Sequence, residues 1–330
     1  HELECWDWVS RNVPALQGDV VARQEVRARM VAAQDRLEQS AGPVFGLAGC
    51  PFDPTQSVWV ADGELEEVSS PLYFQRWISK LFGKTFPEAP TLHNELINRR
   101  DLSSASSSAR RKLLQRMVED PDRERLGLEG TPPEASMYES MLRAGGFHGL
   151  REDGKTWEFR DPTGDWRPVW DAALKFVHES GGTRQSVTTL LDHLRAPPFG
   201  IRDGPLIVFL WSLLLSRQDQ ISLYEDGLFV PALRVEVVER LASRPETFEI
   251  QSQKLNDQQA EALRALQVLV ENDQEWSSAS EAKHFLPVVK SLVLFASKLD
   301  PFTRRTKRLD PPEAKSVRDL LLTARDPKFL

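Results

Sequence analysis

Cysteine is nearly absent from these 330 residues. Cys5 and Cys50 are the only two, which excludes a disulfide-stapled scaffold, and neither has a second thiol at the spacing of a zinc knuckle. A reducing cytoplasm is the expected setting. Long apolar runs are missing too: the longest, Leu206 to Leu215 (LIVFLWSLLL), is half of the roughly 20 residues a bilayer span needs. Nothing at the start has the layout of a signal peptide, so neither membrane insertion nor export is expected. The six histidines (His1, His93, His148, His178, His193, His284) include no HExxH motif and no pair four apart on a helix, so no metal is expected.

Glycine is missing where nucleotide chemistry would need it. Gly83-Lys84-Thr85 looks like the end of a phosphate loop, but Ile78 stands where that loop has glycine, and Tyr73 to Phe82 reads as helix. A helix C-cap at Gly83 is the expectation. Gly145-Gly146 and the cluster Gly200 to Gly204 lack the strand–glycine–helix context of a dinucleotide site. No G-x-S-x-G elbow accompanies the serines between 103 and 108, where Ser103 reads as the N-cap of the following helix. Catalysis is not expected, and neither is a cofactor. The chain also lacks an initiator Met, opens on His1 and ends on Phe329-Leu330, which reads as a piece of a longer protein.

What is present is the composition of a folded protein, 40% hydrophobic and 28% charged with a net charge of −7, long enough for two or three domains. The acidity is concentrated in residues 1–90, where 13 acids face 8 bases. The expected fold class is mainly α: a helical N-terminal segment with a short strand (1–90), two winged-helix-like units (91–164 and 165–255) and a helical tail (256–330). Residues 19–41 have helical apolar spacing, with Asp19 as N-cap and Gly42-Pro43 as the stop. Ser57 to Val60 alternates like a strand, and a second helix begins near Ser70.

In the first winged-helix-like unit, helices are expected over 92–99, 104–118 and 133–143, the last capped by Thr131, followed by a hairpin over 148–160 turning at Asp153-Gly154. In the second, helices near 166–180, 186–195 and 204–216 precede a hairpin over 221–230 turning at Asp226-Gly227. The tail predicts helices over 257–270, 279–299 and 311–324.

Positive charge gathers at two places. Arg99, Arg100, Arg110, Arg111, Lys112 and Arg116 stand within 18 residues against the single acid Asp101. At about 100° per residue Arg110 and Lys112 lie about 200° apart on a helix, so they cannot all face one phosphate strand, although Arg99, Arg100 and Arg111 could converge. The competing reading is a solvated face whose arginine stems cover apolar surface. Arg304, Arg305, Lys307 and Arg308 form the second cluster, suited to phosphates or to an acidic partner surface.

Several strings carry a resemblance: His93-Asn94-Glu95-Leu96-Ile97-Asn98-Arg99, Leu126-Gly127-Leu128-Glu129-Gly130, Pro197-Pro198-Phe199-Gly200-Ile201, Tyr224 to Pro231, and Phe302 to Leu309 followed by Val317-Arg318. Together they span about residues 44–330. They resemble a region of large bacterial P-loop ATPases of phage-resistance systems, the BREX/Pgl-type proteins and relatives. The resemblance implies a non-catalytic region lying beyond an AAA-like nucleotide-binding domain. The family's Walker motifs have no counterpart here, so hydrolysis is not assigned to this chain. The implied partners are double-stranded DNA and other domains or subunits of a defence complex. The alternative is a purely structural protein–protein scaffold.

Overall fold

The computed structural model of the chain describes residues 1–46, 51–179, 183–253 and 285–323, which are mainly helical with three small antiparallel sheets. Two compact units divide the chain, His1–Thr85 and Phe86–Leu330.

In the first unit, helix α1 (Glu2–Asn12), within the segment 1–90 expected to be helical, runs antiparallel to the long helix α2 (Val20–Phe45). Arg36 reaches Glu2 at 2.7 Å, and the Arg29 guanidinium lies 5.1 Å from the Trp6 ring. Asp19 caps α2 as expected, its carboxylate accepting from the Ala22 N–H at 2.9 Å. The expected stop at Gly42-Pro43 is not used. In the last turn Pro43 removes only one backbone bond, and the helix continues to Gly46, whose left-handed φ of 63° closes it. Of the expected apolar face, Val26 is buried while Val20, Val21, Val31 and Leu37 are exposed. A hairpin, β1 (Trp59–Ala61) with β2 (Glu64–Glu66), and helix α3 (Pro71–Thr85) complete the unit. Phe45, Trp59, Phe74 and Trp77 meet there as a ring cluster. Because α3 runs to Thr85, Gly83 is an ordinary helical residue and not a cap, and Gly83-Lys84-Thr85 forms no loop.

The second unit departs from expectation at once. Residues 92–99 form turns instead of a helix, because asparagine side chains take the bonds a helix would use. The Asn94 side-chain oxygen accepts from the Leu96 N–H and its amide donates to Ser140 Oγ, while Asn98 donates to the Leu92 carbonyl. Helix α4 (Ser104–Glu119) starts as expected from Ser103, whose hydroxyl accepts from the Ser106 N–H. Helix α5 (Pro133–Met137) is flanked by Pro132, one residue past the expected Thr131, and passes into a π-helical stretch, Tyr138–Arg143. The hairpin β3 (His148–Leu150) with β4 (Trp157–Phe159) closes on Asp153, whose carboxylate accepts from the N–H groups of Lys155 and Thr156.

Then follow α6 (Arg167–Glu179), β5 (Gln185–Ser186), α7 (Val187–Arg195), α8 (Asp203–Ser216), β6 (Ile221–Glu225), β7 (Leu228–Val230), α9 (Val235–Ser243) and β8 (Phe248–Ser252). The three helices fall within two residues of expectation, and the hairpin turns at Asp226-Gly227, both with positive φ. Neither α9 nor β8 was anticipated. Strand β8 pairs with both β5 and β6, giving the order β5-β8-β6-β7.

One hydrophobic cluster draws on residues from Leu92 to Ile250, thus from both of the segments 91–164 and 165–255. Helix α8 is its axis, with every residue from Gly204 to Leu214 buried. Trp170 and Trp211 lie fully inside.

The tail contains α10 (Phe285–Lys298), α11 (Pro301–Arg305) and α12 (Pro312–Thr323). The helix expected over 257–270 lies outside the described residues. Among the described residues no helix is long and apolar enough to cross a membrane.

Candidate polyanion-binding surface

The two basic clusters meet different fates in the fold. On α4 the side chains fan out, as the 200° between Arg110 and Lys112 requires. Arg111 donates to Glu239 on α9 at 2.7 Å, and Lys112 lies 3.6 Å from Glu134 on α5. Arg116 donates to Asp120 at 2.6 Å, and Arg99 pairs with Glu95 at 3.2 Å. Arg110 turns inward and donates to the carbonyls of Asp203 and Gly204 at 3.2 and 3.3 Å. Burial lowers its pKa, with the nearby Asp203 charge opposing. Arg100 alone of the six makes no hydrogen bond or ion pair through its guanidinium among the described residues. Most of this cluster's charge is therefore answered inside the protein, and its helix is held against three neighbours.

The second cluster is the reverse. Helix α11 is capped by Asp300, whose carboxylate accepts from the N–H groups of Phe302 and Thr303 at 2.9 Å each. Arg304, Arg305, Lys307 and Arg308 are all exposed, and among the described residues none has an ion-pair partner. What holds them in place is Arg318 on α12. Only 7% exposed, it donates to the carbonyls of Thr303 and Thr306 at 2.9 and 2.6 Å and to its neighbour Asp319 at 2.6 Å. One buried guanidinium thus satisfies the carbonyls at the end of α11, with its own charge met by Asp319. The Thr306 hydroxyl then accepts from the Arg308 N–H at 3.2 Å.

Four cations within five residues span at most about 15 Å of chain, a length over which duplex DNA offers several phosphates. Charge density named these four in the sequence. Arg318 was missed as their support, because nothing local distinguishes a buried arginine from a solvated one.

The rest of the second unit holds buried polar groups in structural positions. His148 Nε2 lies 2.9 Å from the Pro121 carbonyl, which can only accept, so the ring carries its proton there and Nδ1 accepts from the Tyr138 hydroxyl at 2.9 Å. Burial pushes His148 down and Tyr138 up to about 12. His178 Nδ1 contacts Ser252 Oγ at 2.9 Å, but Ser252 is 2% exposed and gives a substrate no approach. A cleft of about 730 Å³ lined by Trp157, Phe159, Asp219 and Lys290 is the largest of the hollows described, and burial pulls the Lys290 ammonium down to about 8. Among the described residues no three His, Cys, Asp or Glu side chains gather as a metal site. In comparisons with known proteins, no family model, no curated protein and no solved structure matches this chain.

Proposed function

We propose that this chain is a non-catalytic, mostly helical region of a large bacterial ATPase of the phage-resistance kind it resembles, and that it couples such a motor to double-stranded DNA. Arg304, Arg305, Lys307 and Arg308 grip the phosphate backbone. The observation that carries this reading is the contrast between the clusters: most of the cations near α4 are paired internally, whereas those of 304–308 are exposed, without ion-pair partners among the described residues, and fixed by Arg318.

The order helix, strand, helix, helix, hairpin over 167–230 supports a winged-helix-like reading of 165–255, and the helices and hairpin of 104–159 a looser one of 91–164. In the former the third helix, α8, is buried along its length and has no face to offer a groove. That favours phosphate contact, with little sequence preference, over base reading.

The test is duplex binding by the full chain across a salt series. With three or four phosphates neutralised, log K should fall against log salt with a slope of about −2.7 to −3.6. Reversing Arg304 and Lys307 to Glu should abolish binding at low salt, while Arg111→Glu should leave it intact. Binding that ignores the first change and responds to the second would overturn the placement.

A second reading, contact with an acidic protein surface of a partner subunit, draws on Phe302. Its ring is 77% exposed beside the cations, and an aromatic next to basic residues suits a protein interface. Retention of the parent ATPase domain by the wild type but not by the Glu variants, with no DNA affinity, would favour it.

A further inference from the structure

Arg110 stands between two hollows of about 350 and 290 Å³, and both are also lined by Ser107, three residues earlier on α4. The guanidinium has five N–H donors. Nη1 is occupied by the carbonyls of Asp203 and Gly204, while Nε and Nη2, three donors, have no partner among the described residues. Neither atom is sealed off from solvent, so both stay open to an acceptor that enters the hollows. Three carboxylates share these walls without bonding Nε or Nη2: Asp203 is bound by Arg195 at 2.6 Å, Glu239 by Arg111 at 2.7 Å, and Asp101 lines the smaller hollow. Arg100, without an ion pair, lines the smaller hollow, whose wall includes the apolar side chains of Leu191, Leu206 and Ile207.

We infer that the paired hollows are a preformed site for the phosphoryl group of an organic phosphate, held by the Nε/Nη2 fork of Arg110, the guanidinium of Arg100 and the hydroxyl of Ser107. A planar carboxylate has two oxygens, fewer than these groups can serve, whereas a tetrahedral phosphate turns a separate oxygen to each. The apolar wall receives the organic part. Depression of the Arg110 pKa by burial accords with a cation awaiting its anion. Two sources share this chemistry, a mononucleotide and the 5′-phosphate of a DNA end. The site uses none of the four cations of 304–308, so it stands independently of the function proposed above.

Calorimetric titration of the full chain with inorganic phosphate, with AMP, and with 5′-phosphorylated and 5′-hydroxyl duplexes tests it. Saturable 1:1 binding is expected, tighter for AMP than for phosphate if the source is a mononucleotide, and confined to the phosphorylated duplex if it is a DNA end. Arg100→Gln and Arg110→Lys should each weaken it about tenfold or more, the Lys keeping the charge but losing the fork. Reversal of Arg304 and Lys307 to Glu should leave phosphate binding unchanged. Should Arg110→Lys not fold by circular dichroism, the Arg100→Gln, Ser107→Ala pair decides. The inference is overturned by the absence of saturable binding of phosphate or AMP up to about 1 mM, or by affinity that these changes do not move.

Discussion

A methyl group on Gly204 would lie 1.8 Å from the carbonyl oxygen of Ile97 and 2.9 Å from that of Arg99. Both are backbone atoms, so no side chain can swing aside, and the Gly204 N–H is itself committed to the Arg99 carbonyl at 2.9 Å. Gly204→Ala must therefore pry the 94–99 turn from the start of α8. A loss of about 3 kcal/mol or more is expected, read as a drop in urea midpoint at unchanged slope. His148 gives a second prediction at this scale. Its pKa is lowered in the fold from an ordinary 6.5, chiefly by burial, so between those two values the unfolded chain binds more protons than the native one. Stability present above about pH 6.5 should then be lost as pH falls through the folded value. Unfolding midpoints at pH 7.5 and 5.5 check this, and the difference should shrink in His148→Gln.

Among the elements, the basic segment 301–308 depends on one residue outside it. Arg318→Met keeps the aliphatic stem but strips the Thr303 and Thr306 carbonyls of their donor, a loss of about 1–3 kcal/mol locally. Amide exchange over 301–309 should quicken, and duplex affinity should fall although all four contacting cations remain; unchanged exchange would refute the positioning role. Ser103→Ala should cost about 1 kcal/mol through the start of α4.

These elements also show what a sequence discloses. Turns at Asp153-Gly154 and Asp226-Gly227, the cap at Asp19 and the apolar run of α8 were legible, because each is dictated by residues adjacent in the chain. The turns over 92–99 were not, since Asn94 gives up helical bonds for partners on Ser136 and Ser140, more than 40 residues away. The exposed cations of 304–308 could be named from charge alone. Their support by Arg318 could not, because burial of a guanidinium is decided by tertiary packing.

Across the whole molecule, the burial of apolar side chains is uneven, and this too was hidden in the sequence. Strand β8 enters between β5 and β6 from more than 20 residues away, closing a core that no local pattern announces. Phe86–Leu330 contains that large cluster, with Trp170, Trp211, Phe147 and Phe209 fully buried. Among the described residues of His1–Thr85 the buried apolar ones are Val26, Ala33 and Val68, supplemented by the four-ring cluster around Trp59, while the apolar side chains of Val20, Val58, Leu65 and Phe82 face solvent. Free energy from burial scales with apolar area at about 25 cal/mol per Å², so the first unit should be much the weaker of the two. Unfolding in urea is then expected in two steps instead of one. Native-state hydrogen exchange identifies which comes first: amides of α2 should open at low denaturant, and those of α8 only at the second, global transition. A single transition in which α2 and α8 exchange together would mean that the sparse first unit draws its stability from the second, and that the two behave as one cooperative structure.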